Sequence, residues 1–134
     1  MRTYKTKGQI EDAISKDVTK FYVEILGVGP KQTKTYILKD MVIVRFEGKL
    51  LPIEENILAM MKDGNGIELV KNIRKALHQI TTKRLCDIIS QITKHQVISS
   101  HSDISTKTGE RIEIFILDAD FENEVVKQKP HKVP

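Results

Sequence analysis

The chain has 134 residues, 40% of them hydrophobic and 30% charged, with a formal net charge of +4. That length fits one domain with a single real core, and the composition is normal for a soluble protein. The lone Cys86 excludes an internal disulfide, and no apolar run approaches the ~20 residues of a membrane-spanning helix, so a cytoplasmic protein without direct membrane insertion is expected.

From residue 7 to 26, Ile10, Ile14, Val18, Phe21 and Ile25 recur at steps of three and four, with Ala13, Tyr22 and Leu26 alongside. This predicts an amphipathic helix with Glu11, Asp12, Ser15, Lys16 and Lys20 on its wet face. Gly27 is a natural left-handed cap and Pro30 bars continuation. Because these glycines follow a helix C-terminus, where carbonyls repel anions, GVGPK is a cap and not a phosphate loop. Residues 31–38 and 41–47 predict a hairpin turning at Lys39-Asp40, with Val42, Val44 and Phe46 opposite Ile43, Arg45 and Glu47. Pro52 opens a short helix to about Met61, with Glu54 and Glu55 in its first turn.

Asn65 followed by Glu68 resembles a capping box and launches a long helix to about Lys94. Val70, Ile73, Leu77 and Ile80 line one side, then Leu85, Ile88, Ile89 and Ile92. The phase slips by a residue at Thr81-Thr82, where a bend or break is expected. A second hairpin follows over 96–105 and 110–118, with Gly109 at a positive-φ position of its loop. In its last strand Ile112, Ile114 and Ile116 point one way, with Arg111, Glu113, Phe115 and Leu117 opposite. The fold expected is α+β, a single antiparallel sheet built from two β-hairpins and packed against helices in the order α-β-β-α-α-β-β. Residues 1–121 form the domain, and 122–134 a basic, disordered tail.

The least ordinary stretch is VISSHSDI, where residues 99–103 give no apolar side chain to either face of a strand. On a strand Ser99, His101 and Asp103 lie together, and Ser100 and Ser102 share the other side. His101 and Asp103 then sit about 7 Å apart, with Arg111 or Glu113 expected across the hairpin. Three uses compete. The serines and histidine can bond a neighbouring loop. Alternatively, the serine hydroxyls, His101, Lys107 and Arg111 can hold an anion or small ligand. A metal site is the third, but His-x-Asp supplies too few ligands, with His95 an uncertain addition. Acid–base work by His101 with Asp103 is chemically reasonable, yet no nucleophile, oxyanion loop or cofactor fingerprint accompanies it.

Two phrases, GVGPKQTKTYILKDMVIVRFEGKLLPIEEN and VISSHSDISTKTGERIEIFILD, resemble a bacterial family long catalogued as a domain of unknown function. That family is named for the C component of a sodium-translocating, membrane-potential-generating system, the Mps system. The resemblance runs from Thr6 to Asp120. It implies an accessory of a membrane cation or inorganic-carbon transport system and no particular reaction.

The combined expectation is a non-enzymatic accessory or regulatory protein that needs no cofactor and no metal. Its binding arm is Ser99, Ser100, His101, Ser102, Asp103, Ser105, Lys107, Gly109 and Arg111. The partner expected is a subunit of a membrane transport complex or a second copy paired through the polar edge strand. Leu58, Met60 and Met61 offer adaptable contacts if exposed. Nucleic acid is the alternative, through Lys31, Lys34, Arg45, Lys71, Arg74 and Lys75, but these alternate with acids, and aromatic stacking residues are scarce. Cys86 is expected in the core, His78 in solvent and His131 in the tail.

Overall fold

The computed structural model describes residues 6–48 and 50–127. In chain order these form α1 (Lys7–Leu26), β1 (Gln32–Leu38), β2 (Met41–Glu47), α2 (Pro52–Met60), α3 (Asn65–Thr93), β3 (Val97–Ile104), β4 (Arg111–Leu117) and α4 (Phe121–Lys127). The architecture is α+β with one antiparallel sheet, as the hairpin pattern predicts. The two hairpins join through their second strands, giving the order β1-β2-β4-β3.

Local chemistry accounts for the ends of α1. Thr6 accepts from the Gln9 N–H at 3.1 Å and Gln9 returns the bond to the Thr6 N–H at 3.3 Å. At the other end Gly27 takes φ +78°, which only glycine adopts readily, and its N–H reaches the Val23 carbonyl at 2.9 Å. Helices α1 and α3 cover one face of the sheet. The core between them comprises Ile14, Val18, Phe21 and Tyr22 from α1, Leu85 and Ile89 from α3, and Ile37, Val42, Val44, Phe46, Phe115 and Leu117 from the strands. Each large apolar side chain buried there contributes about 1.5–3 kcal/mol. Hydroxyls knit β1 to α1, through Ser15 with Thr35 and Thr19 with Thr33, each at 2.7 Å. Glu11 accepts the Ile37 N–H at 2.8 Å.

Four expectations change. Gly64, not Asn65, is the N-cap of α3, and its first turn is braced by Asp63, which accepts from the Asn65 N–H at 3.2 Å. Helix α3 runs unbroken through Thr81-Thr82, whose hydroxyls bond back to the Leu77 and His78 carbonyls. Ile73 and Ile80 do not line its buried side, being 45% and 78% exposed. The buried stripe instead runs Val70, Arg74, His78, Thr81, Leu85, Ile89, Ile92, in steps of three and four without a phase slip.

The fourth change is the expected tail. Glu122 to Lys127 belong to α4, which seats Phe121 and Val125 in the core. Glu122 bonds the Lys39 N–H at 3.0 Å and the Lys7 ammonium at 2.8 Å, which together hold its carboxyl below the ordinary range. Residues 128–134, including His131, lie outside the described residues. Among the described residues no helix is long and apolar enough to cross a membrane.

Candidate functional site

The polar strand is real, but the expected binding arm divides: Ser102, Asp103 and Arg111 line one cavity beside α3, and Ser99, His101 and Lys107 do not join them. Along β3, Ser99, His101 and Asp103 face outward, while Ser100, Ser102 and Ile104 turn toward α3. His101 pairs across the ladder with Ile114, and Asp103 with Ile112. Arg111 and Glu113, expected beside the His-x-Asp pair, instead oppose Ile104 and Ser102 on the inner face. The hairpin register decides this, since it fixes which residues share a side.

The His101 side chain stands exposed with no hydrogen bond or ion pair to any described residue. Asp103 accepts the Ile104 N–H at 2.9 Å and the Lys71 ammonium at 3.3 Å, and these bonds hold its carboxyl low. Ser100 meets the Cys86 thiol, which is half-buried and pushed up by that burial. Ser105 serves the turn, taking the Gly109 N–H on its carbonyl at 2.7 Å and the Thr108 N–H on its hydroxyl at 3.3 Å. Gly109 has the expected positive φ, +81°. Lys107 projects into solvent at the tip. The expected anion set of serines, His101, Lys107 and Arg111 is therefore divided between two faces and a loop. Among the described residues no group of three or more His, Cys, Asp or Glu side chains could hold a metal.

The face away from the helices is itself apolar. Tyr36 and Leu38 from β1 are 45% and 46% exposed, and Ile112 from β4 is 36% exposed. Met41 and Ile43 from β2, with Ile114 and Ile116 from β4, fill the ground between and are half-buried by their neighbours alone. One end of this face is bordered by paired charges. Arg45 meets Glu110 at 2.7 Å and Glu47 at 3.6 Å, and Lys34 reaches Glu47 at 3.9 Å. Ser99, His101 and Asp103, along the edge strand β3, form the lateral border of the face.

On the helix side lies a second site, of which Ser102, Asp103 and Arg111 belong to the expected arm. A cavity of about 170 Å³ opens between α3 and the inner face, lined among others by Tyr22, Lys71, Arg74, His78, Arg111 and Glu113. Arg74 grips the buried Glu54 through Nε at 2.5 Å and Nη2 at 2.8 Å. Burial would raise the Glu54 carboxyl, but the two arginine bonds and the Leu51 N–H outweigh it and hold it low. Arg111 lies flat on Tyr22 and Phe46, its guanidinium carbon 4.3 and 4.7 Å from the ring centres. Burial and the like charge of Arg74 push Arg111 below the usual arginine value.

Glu113, 2% exposed, takes His78 Nδ1 on Oε1 at 2.9 Å. The Tyr22 hydroxyl lies beside Glu113, and burial together with the charge and hydrogen-bonding pull of that carboxylate raises the phenol pKa strongly. Among the described residues Arg74 Nη1 and Glu113 Oε2 are buried without a hydrogen-bond partner.

The sequence pattern missed Arg74, His78 and Glu54 because each reads as a solvated helix residue. The signal was present in the stripe Val70-Arg74-His78-Thr81-Leu85, where polar residues continue an apolar row. The basic residues considered for nucleic acid do not share a surface. Lys34 and Arg45 lie on the open face, whereas Lys71, Arg74 and Lys75 lie at the cavity.

The family profile described as "Na+-translocating membrane potential-generating system (MpsC)" matches residues 6–119. The chain belongs to this family. "Uncharacterized protein YbcI" of Bacillus subtilis (strain 168) is 39% identical over 123 residues, covering 92% of this chain and 97% of that protein. No solved structure gives a significant match. The matched span takes in every strand, the cavity and the open face. It ends before α4, so the family segment and the helix that seals its core with Phe121 and Val125 are distinct stretches of one fold.

Proposed function

We propose that this protein is a cytoplasmic accessory component of a sodium-translocating, membrane-potential-generating system and works by binding, not by catalysis. Family membership supports the system. The open isoleucine face supports the mode of action, and it is the observation that carries the proposal. An antiparallel sheet covered on one side ordinarily shows polar residues on the other. Here Tyr36, Leu38, Ile43, Ile112, Ile114 and Ile116 occupy that side. Contiguous exposed apolar surface of this kind marks a contact with another molecule.

The border chemistry selects a protein as that molecule. Arg45 and Lys34 are already paired with Glu47 and Glu110, so the face lacks the unbalanced positive charge that nucleic acid or an anionic membrane needs. An apolar centre with a polar rim is the anatomy of a protein interface. Family membership supports a component of the transport system as the partner, with Ser99, His101 and Asp103 at the edge of the contact.

Co-purification from host membranes tests this, using tagged wild type beside Ile114→Lys and His101→Ala/Asp103→Ala, all matched in Tm. A membrane-embedded transport subunit, identified by mass spectrometry, should accompany the wild type and fall by roughly tenfold or more with Ile114→Lys. The double variant at the rim should lose less. Equal recovery with all three proteins, or no enriched transport subunit, overturns the proposal. Gel filtration in which Ile114→Lys only splits a self-associated form also overturns it, by assigning the face to a second copy.

A further inference from the structure

The cavity carries an inference that does not depend on the open face. Its lining supplies four cations, Lys71, Arg74, Lys75 and Arg111, against two carboxylates, Asp103 and Glu113. Asp103 meets Lys71, and Glu54, just outside the lining, meets Arg74, which leaves Lys75 and Arg111 without an ion pair among the described residues. Glu54 occupies Nε and Nη2 of Arg74 and leaves Nη1 buried and unbonded. Arg111 stacks on two rings and forms no ion pair with any described residue. Two guanidinium groups thus sit close enough to repel each other, largely removed from water, with donors unspent. Such an arrangement is costly unless an anion completes it.

A bare anion does not complete everything, because Glu113 Oε2 is an orphaned acceptor in the same cavity. With Oε1 taken by His78, only a donor can satisfy it. An oxygen without a proton placed there would face a carboxylate lone pair. The volume, about 170 Å³, holds several waters or a ligand of comparable size and excludes a nucleotide. We infer that this cavity binds a small oxyanion that also carries a hydroxyl proton, accepting from Arg74 and Arg111 and donating to Glu113. Monohydrogen phosphate, bicarbonate and short 2-hydroxy-carboxylates share that chemistry.

Paired ligands separate the donor from the charge. Isothermal titration of the full chain would compare monohydrogen phosphate with sulfate, and glycolate with acetate, at a pH where each pair carries equal charge; bicarbonate is a further probe. The donor-bearing member of at least one pair, or bicarbonate, should bind, and within that pair its partner should be weaker by roughly tenfold or more, as expected when a buried polar group is left unpaired. Glu113→Gln gives the position an N–H donor, so sulfate or acetate should gain and the preference should shrink. Arg111→Lys keeps charge and stem but loses the fork, and should weaken every oxyanion together.

Binding by none of these anions overturns the inference, as does equal affinity within both pairs. A preference that survives Glu113→Gln unchanged in a folded protein also overturns it. If that variant fails to fold, the wild-type ratio between paired ligands decides alone. The phosphate, bicarbonate and glycolate arms tell an inorganic from an organic source.

Discussion

The two faces of the sheet blur the usual division between apolar inside and polar outside. The side covered by helices holds Arg111 and Glu113 among Phe46, Phe115 and Leu117, whereas the uncovered side carries Ile112, Ile114 and Ile116. A strand's alternation tells which residues share a side but not which side goes inward. The helix opposite settles that. The stripe of α3 presents His78 to this end of the sheet, and a face with Glu113 answers it. Burying the isoleucines instead would have left His78 without that partner. The open face is the consequence, and its apolar character supports the binding role proposed for it.

Adjacent residues of β4 give the largest test of this contrast. Phe115 is fully buried, while Ile114 looks out from the next position. Phe115→Ala should cost about 3–5 kcal/mol in urea unfolding, from lost transfer energy and the cavity left behind. Ile114→Ala should cost under about 1.5 kcal/mol in the isolated chain. A similar loss for both would break the comparison, because it would mean that the open face is already packed in solution. Restoring the natural partner should then raise the cost of Ile114→Ala specifically.

Two histidines sharpen the contrast through pH. His95 lies on the helix side, with Nδ1 2.7 Å from Asp118 and Nε2 2.5 Å from Glu124, and an edge contact to Phe121. Burial works against its protonation, but the two carboxylates outweigh it and raise its pKa. A folded value above the unfolded one, about 6.5, means the contribution is fully present below that pH. It is lost as pH rises through the folded value, so thermal stability should decline across that window. His95→Gln should flatten this part of the pH profile, and His101→Gln, which removes a side chain without partners, should leave it intact. A flat wild-type profile would detach α4 from the electrostatic anchor assigned to it.

Much of the fold was legible. Periodicity and turn residues gave both hairpins and the three longer helices, because Gly27, Pro30, Pro52 and Gly109 act locally. The candidate site was not, for a physical reason that α3 displays. It carries a second apolar row, Leu69, Ile73, Ala76 and Ile80, on its outer surface. That row outcompetes Arg74 and His78 in any hydrophobic pattern and creates an apparent phase slip at Thr81 that the helix does not have. Buried charge is invisible to such patterns, since its partners Glu54 and Glu113 come from elsewhere in the chain. Helix α4 was hidden likewise, since only Phe121 and Val125 of its short span enter the core.

The smallest effect expected is at the residue that first drew attention. Asp103 is 72% exposed and pairs with a Lys71 that is itself 37% exposed, so water and salt screen the bond. Asp103→Ala should change stability by about 0–1 kcal/mol, with the difference shrinking as salt is added. The same substitution should alter co-purification only modestly, since Asp103 lies at the rim and the isoleucines at the centre. A loss of several kcal/mol would instead mean that the polar strand is a structural clamp. The serines and histidine of β3 would then have been selected for folding, and the open face would need another border.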